Sequence, residues 1–316
     1  MDRRRFLFTL AASAVARAEE TKHFAGTFPI MQTPFSDSNA LDVEALAKQV
    51  KFLDRCGVHG MVWPQLASEW SELSRDERIA GAEAIVAAAK GLKPKVVIGV
   101  QAPDVESAVR YARHADKLGP DGIIALPLPD QKNLDALAGY YRAIAKACER
   151  PLFVQAIGNM TVEFIVKLAH EIPSLRFVKD EAGHTLSRIS EYQRVDKSVS
   201  IFTGGHGRSM LDEMARGASG TMPAASFADL YVKVWDLWHA GKRTQAMDAF
   251  GRLGLLITQV SAYGVPSLKY LLQERGVFKN IRCRGKNADG HFDEEARRSL
   301  KETFEFVRST SLAAPA

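Results

Sequence analysis

The stretch Leu175-Arg-Phe-Val-Lys-Asp-Glu-Ala-Gly183 is a short apolar run closed by a lysine and followed at once by a glycine-bearing loop. It reads as a β-strand, with Lys179 at its end beside Phe177 and Val178. Two readings of that lysine are open. One is a side chain that snorkels to solvent from a strand end. The other is an amine whose desolvation favours the neutral form, which is a nucleophile towards a ketone. The place of this strand in the whole chain decides between them.

From Gly26 onward, short β-rich runs alternate with longer helical patterns. The strand candidates are Thr27–Gln32, Gly60–Trp63, Lys95–Val100, Gly122–Leu126, Leu152–Ala156, Leu175–Lys179, Ser200–Thr203 and Gly220–Met222. The last is weak, because Gly217, Gly220 and Pro223 crowd it. Amphipathic stretches lie between them, among them Val43–Cys56, Arg75–Ala89, Val105–Leu118, Leu134–Cys148 and Val162–His170. Asp104 and Thr161 are expected N-caps, and Gly57 and Gly119 expected stops. Eight β–α units without an antiparallel hairpin signal predict a parallel (β/α)8 TIM barrel over residues 26–240. Thr244–Tyr263, Pro266–Arg275 and Asp293–Val307 predict a C-terminal helical appendage, residues 241–311, packed on it. A doubly wound open sheet is the competing fold, disfavoured because no glycine-rich dinucleotide loop follows an early strand.

The 316 residues, 46% hydrophobic, suffice for a substantial core. Asp2-Arg-Arg-Arg-Phe-Leu-Phe-Thr-Leu10 places an arginine cluster before an apolar run, and Ala16-Arg-Ala18 supplies a small-x-small cleavage site. Residues 1–18 therefore read as an export signal of twin-arginine type, which predicts a periplasmic protein. A basic amphipathic helix of the fold is the other reading. Cleavage after Ala18 removes four arginines and one aspartate, leaving 38 basic and 36 acidic residues and a net charge of +2 rather than +5. No nucleic-acid partner is implied, nor a membrane partner once the signal is gone. Cys56, Cys148 and Cys283 show neither paired spacing nor a metal motif. The eight histidines are scattered, so no metal site is expected.

In a barrel, chemistry sits at the C-terminal ends of the strands. That rule selects Gln65-Leu-Ala-Ser-Glu69 after strand two, Gln155 on strand five, Lys179 with Asp180 and Glu181 on strand six, and Thr203-Gly-Gly-His206-Gly207 after strand seven. Glu69 also reads as a helix cap or surface carboxylate, and His206 as a solvated loop residue. Gly204-Gly205 reads as a tight turn rather than a phosphate cradle, since no Lys-Ser/Thr helix start follows. Trp63 and Trp70 flank the strand-two loop and either stack on a ligand or pack at the strand end.

In order and spacing these pieces resemble the dihydrodipicolinate synthase and N-acetylneuraminate lyase family of class I aldolases, from about Gly26 to Val307. The anchors are Gln32-Thr-Pro-Phe35, Gly57-Val-His-Gly60, Glu69 with Leu73-Ser-Arg-Asp-Glu-Arg78, Phe177-Val-Lys179 with Gly183, Gly217-Ala-Ser-Gly220, and Pro266-Ser-Leu-Lys269. The resemblance implies a tetrameric barrel, a homo-oligomer, whose strand-six lysine, here Lys179, forms a Schiff base with a 2-oxo acid. A protonated imine withdraws electrons, so a carbanion forms at the neighbouring carbon; this chemistry needs no cofactor.

The chain departs from that family elsewhere. The carboxylate-gripping Gly-Thr-Thr-Gly-Glu loop is here Gln65-Leu-Ala-Ser-Glu69, so a carboxylate would depend on backbone N–H groups of Ala67 and Ser68. The proton-shuttling tyrosine of Tyr-Asn-x-Pro is replaced in Gln155-Ala-Ile-Gly158. The paired tyrosines after strand four become Leu128-Pro129, and the arginine for a second carboxylate falls at Met160. Dihydrodipicolinate synthase activity itself is therefore not expected. The expected function is a Schiff-base lyase or aldolase acting on a 2-oxo acid or 2-keto-3-deoxy sugar acid. Lys179, Glu69 and His206 are the catalytic candidates, with Glu181 or a water as further proton carriers. Gln65, Ala67, Ser68, Gln155, Gly204, Gly205 and Met222 are the substrate-binding candidates. Two alternatives stand beside it: a catalytically impaired barrel that binds a carbonyl or sugar-acid ligand without turnover, and lyase chemistry on an aromatic substrate.

Overall fold

The computed structural model describes residues 24–288 and 291–312, side chains to residue 309. Residues 1–18, expected to be an export signal, lie outside them. Eight strands alternate with helices in chain order. The strands are β1 (Gly26–Thr27), β2 (Gly60–Trp63), β3 (Lys95–Gly99), β4 (Gly122–Ala125), β5 (Leu152–Ala156), β6 (Leu175–Asp180), β7 (Ser200–Thr203) and β8 (Gly220–Thr221). The helices of the barrel are α1 (Val43–Arg55), α2 (Arg75–Ala89), α3 (Val105–Leu118), α4 (Leu134–Ala147), α5 (Val162–Glu171), α6 (Thr185–Val195), α7 (Met210–Ala215) and α8 (Ala228–His239). Then come α9 (Arg243–Tyr263), α10 (Val265–Glu274) and α11 (Glu294–Leu312).

All ladders are parallel, running from β2 to β8 in sequence and ending on β1. Closure falls to a single residue. Ile30 bridges to Val62 on one side and to Ala224 on the other. Of the expected strand Thr27–Gln32, Thr27 lies in β1 and Ile30 pairs as an isolated bridge, while Gly220–Met222 is shortened by one residue to Gly220–Thr221. Pro29 and Pro223 have no N–H for the ladder, and each contributes only its carbonyl, to Val62 N and Ile30 N.

The expected caps form. Asp104 accepts the Ser107 N–H at 2.7 Å and Thr161 accepts the Phe164 N–H at 3.1 Å. Gly119 ends α3 in the left-handed region, φ 78°. Ser74 and Glu77 form a reciprocal capping box at the start of α2.

The barrel interior is aromatic. Phe28, Phe153, Phe177 and Phe202 fill it, and Phe24 closes it from the segment ahead of β1. Phe153 stacks on Phe177 at 4.3 Å, and Phe202 meets Phe28 edge-on at 5.0 Å. Strand alternation sends Val154 and Val178 outward to the helix layer and leaves Gln155 and Lys179 above this plug, at the mouth. The last three helices share an apolar core with α8, built on Tyr231, Trp235, Leu253, Leu256 and Leu300.

Candidate active site

Gln155 and Lys179 are register partners across the β5–β6 ladder. The backbone keeps its extended course one residue beyond β6, because the Glu181 N–H donates to Ala156 O at 2.9 Å. Lys179 and Glu181 therefore share the inward face, while Asp180 points out. Asp180 is consumed there by Arg188 (2.8 Å) and the Tyr192 hydroxyl (3.0 Å).

The Glu181 carboxylate is the hub of the mouth. Its Oε2 lies 2.9 Å from Lys179 Nζ and accepts from Gln155 Nε2 at 2.5 Å, and its Oε1 accepts the Gly205 N–H at 2.9 Å. Burial by itself would raise this carboxyl. The Lys179 charge and these hydrogen bonds outweigh that and hold it below its ordinary value, so it is a carboxylate at neutral pH. Gly204 is the floor beneath the pair. A Cβ there would lie 1.9 Å from Glu181 Oε1 and 2.8 Å from Lys179 Cε, so no larger residue fits.

The β7 loop turns sharply. Gly205, His206 and Gly207 all have positive φ, and the Gly207 N–H closes on Gly204 O at 2.9 Å. This is the tight turn expected of the glycine pair. His206 is held in this unfavourable conformation by the Tyr231 hydroxyl, which donates to His206 O at 2.6 Å. Burial, with Arg208 and Lys179 nearby, lowers the imidazole below its ordinary pKa, which keeps it neutral at pH 7.

A cavity of about 170 Å³ opens above Lys179. Lys179, Glu181, Gly205 and His206 supply one wall; Gln65, Leu66 and Ala67 a second; Ile30, Met222, Pro223 and Ala224 the apolar remainder. The cavity is open on one side, so it encloses the reacting end of a ligand rather than the whole of a larger one. Of the expected site residues, Lys179, His206, Gln65, Ala67, Gly205 and Met222 meet here. Gly204 and Gln155 stand behind the wall and support it.

Glu69 and Ser68 do not line the cavity. Glu69 is fully buried against Lys269 Nζ, and its Oε1 accepts the Arg284 N–H at 2.7 Å. Its carboxylate ties the β2 loop to the C-terminal helices and has no lone pair facing a ligand. The signal for this was the Lys269 of the C-terminal motif, 200 residues further on. Ser68 donates its hydroxyl to Met31 O and gives its N–H to Gln65 O. The Ser68 N–H expected to help hold a carboxylate is therefore already engaged. The two leading N–H groups of the 3-10 turn, those of Leu66 and Ala67, are the ones its hydrogen-bonding leaves over. Trp63 is core: it is 1% exposed, with its indole N–H on Thr33 Oγ1 at 3.0 Å. Trp70 lies outside the cavity, within 6.0 Å of the Arg78 guanidinium.

The sequence model of the dihydrodipicolinate synthetase family matches residues 23–305. An Escherichia coli K12 protein described as a probable 2-dehydro-3-deoxy-D-pentonate aldolase is 31% identical over 279 residues, which is 83% of this chain and 91% of that one. The L-2-keto-3-deoxyarabonate dehydratase of Azospirillum brasilense is 25% identical over 297 residues, 88% of this chain and 94% of that one. Among solved structures, the dihydrodipicolinate synthase of Rhodopseudomonas palustris superposes with a TM-score of 0.81 at 27% identity, covering 89% of this chain and 97% of that one.

Proposed function

The chain belongs to the dihydrodipicolinate synthetase family, and on that footing we propose that it is a Schiff-base lyase acting on a 2-oxo acid, most simply a 2-keto-3-deoxy sugar acid. The observation that carries this is Lys179: an amine 5% exposed, near the end of β6, facing a small cavity that opens to solvent. The names of two relatives, an aldolase and a dehydratase of keto-deoxy acids, point to the same substrate class.

The chemistry follows from the geometry. Lys179 Nζ attacks the 2-oxo carbon, water leaves, and the protonated imine draws electrons from the bond beyond C3. The substrate carboxylate is taken by the Leu66 and Ala67 N–H groups, where no arginine is present to hold it. With Met160 buried and Lys179 the one cation among the described residues that line the cavity, no second lining cation is offered to a second carboxylate, which supports a monocarboxylic sugar acid. Export to the periplasm and a homo-oligomeric state belong to the same proposal and are checked by signal cleavage and sedimentation.

The test is a panel of 2-keto-3-deoxy pentonates and hexonates with pyruvate or 2-oxo-acid release read by a coupled dehydrogenase. Turnover that is lost in both Lys179→Ala and Lys179→Arg is expected, since arginine keeps the charge but forms no imine. Turnover surviving both substitutions overturns the proposal, and reversible carbonyl binding without turnover would leave a binding barrel.

A further inference from the structure

A Schiff-base lyase moves protons at three points: off the attacking amine, off the carbinolamine, and on or off the substrate carbon or its hydroxyl. The phenol that serves this in the resembled family is replaced by Gln155, which has no proton to exchange. The position beside Nζ is not vacant, however. Glu181 Oε2 is 2.9 Å from it, in the one ion pair that Nζ makes among the described residues. Gln155, wholly buried at the tyrosine's place, spends its amide N–H on that same oxygen, and its Oε1 has no partner among the described residues. Gly205 fixes the other oxygen. Three contacts thus hold one carboxylate between the amine and the cavity.

We infer that Glu181 is the catalytic proton carrier of this site and that Gln155 is its positioning residue, resting on the lyase assignment above. Lys179 passes a proton to Glu181 and attacks the carbonyl carbon as the free amine. Glu181 then protonates the new oxyanion, takes a proton back from the C–N nitrogen, and delivers it to the hydroxyl, which leaves as water. The imine keeps the positive charge and Glu181 is again a carboxylate. For a 3-deoxy-4-hydroxy substrate, Glu181 removes the C4 hydroxyl proton, the C3–C4 bond breaks with its pair flowing into the enamine, and the aldehyde departs. Glu181 returns the proton to C3, and the reverse of imine formation releases the 2-oxo acid. No oxidant, metal or second acid is needed.

His206 also faces the cavity, but Lys179 and Arg208 both disfavour its protonated form. It has no contact with Nζ to match that of Glu181. Glu181 is the group the geometry assigns.

Pyruvate is a sufficient probe, because its imine exchanges methyl protons with solvent through the enamine. The full mature chain is incubated with pyruvate in D2O. Methyl exchange is followed by proton NMR, and the imine is trapped separately by borohydride at end point. Glu181→Gln is expected to retain the trapped adduct, which also reports that it is folded, while exchange falls by roughly 10²–10⁴-fold. Glu181→Asp should recover part of that loss, and Gln155→Leu and His206→Asn should each slow exchange less than Glu181→Gln does. Exchange at the wild-type rate in Glu181→Gln, or a collapse confined to His206→Asn, overturns the assignment and leaves the lyase reading standing. No adduct in the wild type overturns the lyase reading, and this assignment with it.

Discussion

Among the described residues, two lysine–glutamate pairs are buried, and one of them faces space. Lys269 and Glu69 have no exposed side-chain surface. The Lys269 ammonium also donates to Arg282 O at 2.6 Å and lies 4.5 Å from the Phe35 ring, and Glu69 takes the Arg284 N–H. Donors, acceptors and volume are spent. The Lys179–Glu181 pair is nearly as deep on the lysine side, yet the Glu181 side chain is 24% exposed and both groups line a cavity. Burial of a lysine beside a carboxylate is common to both. What distinguishes a reactive amine is a side left open to a ligand, with the carboxylate placed to carry its proton.

Breaking the pairs should separate the two roles. Glu69→Ala strands a buried ammonium and releases the C-terminal loop, so urea unfolding should show a loss of about 3–5 kcal/mol. Lys179→Met leaves Glu181 with solvent, Gln155 and Gly205. It should cost about 1 kcal/mol or less in the same experiment while removing all imine formation. Equal losses from the two substitutions would erase the distinction.

A further buried carboxylate sharpens it by forming no ion pair among the described residues. Glu213, in α7, accepts from Thr203 Oγ1 at 2.6 Å, and burial pushes it up to about 7. A raised folded-state pKa contributes stability that is complete below the unfolded value of 4.5 and lost as pH rises through about 7. Glu213→Gln should therefore match wild type near pH 4.5 and exceed it at pH 8 by on the order of 3 kcal/mol, read from denaturant midpoints. A constant offset across that range would contradict the assignment.

The smallest change in atoms is Gly204→Ala. Its methyl group would displace Glu181 and crowd Lys179 Cε, at a stability cost of about 1–3 kcal/mol. Turnover should fall by more than that loss of folded protein explains, as measured by kcat on the folded fraction. Full activity would mean that the pair need not hold its present geometry.

Much of the fold was legible because buried parallel strands are apolar runs between glycines and prolines. Gly60–Trp63, Leu152–Ala156 and Ser200–Thr203 fall where the composition places them. The first strand did not, because Pro29 interrupts hydrogen-bonding without interrupting hydrophobicity, whereas the last falls in place one residue short. In the site, period-two alternation was enough to put Lys179 at the mouth, and the same rule puts Glu181 on its face two residues later. Glu69 was misleading for the opposite reason. Its neighbours in sequence mark a mouth loop, whereas its partner Lys269 is set by tertiary packing that no local pattern encodes. The exchange of tyrosine for Gln155 read as a loss in sequence; in space it is half of a Gln155–Glu181 unit.

The central claim is that, of two buried lysines paired with glutamate, only Lys179 is an imine-forming nucleophile. Incubating the protein with pyruvate, reducing with borohydride and mapping the added mass by peptide mass spectrometry tests it directly. The predicted result is one pyruvate-derived adduct on the Lys179 peptide and none on the Lys269 peptide. An adduct elsewhere, or none with pyruvate or larger 2-oxo acids, would contradict the account.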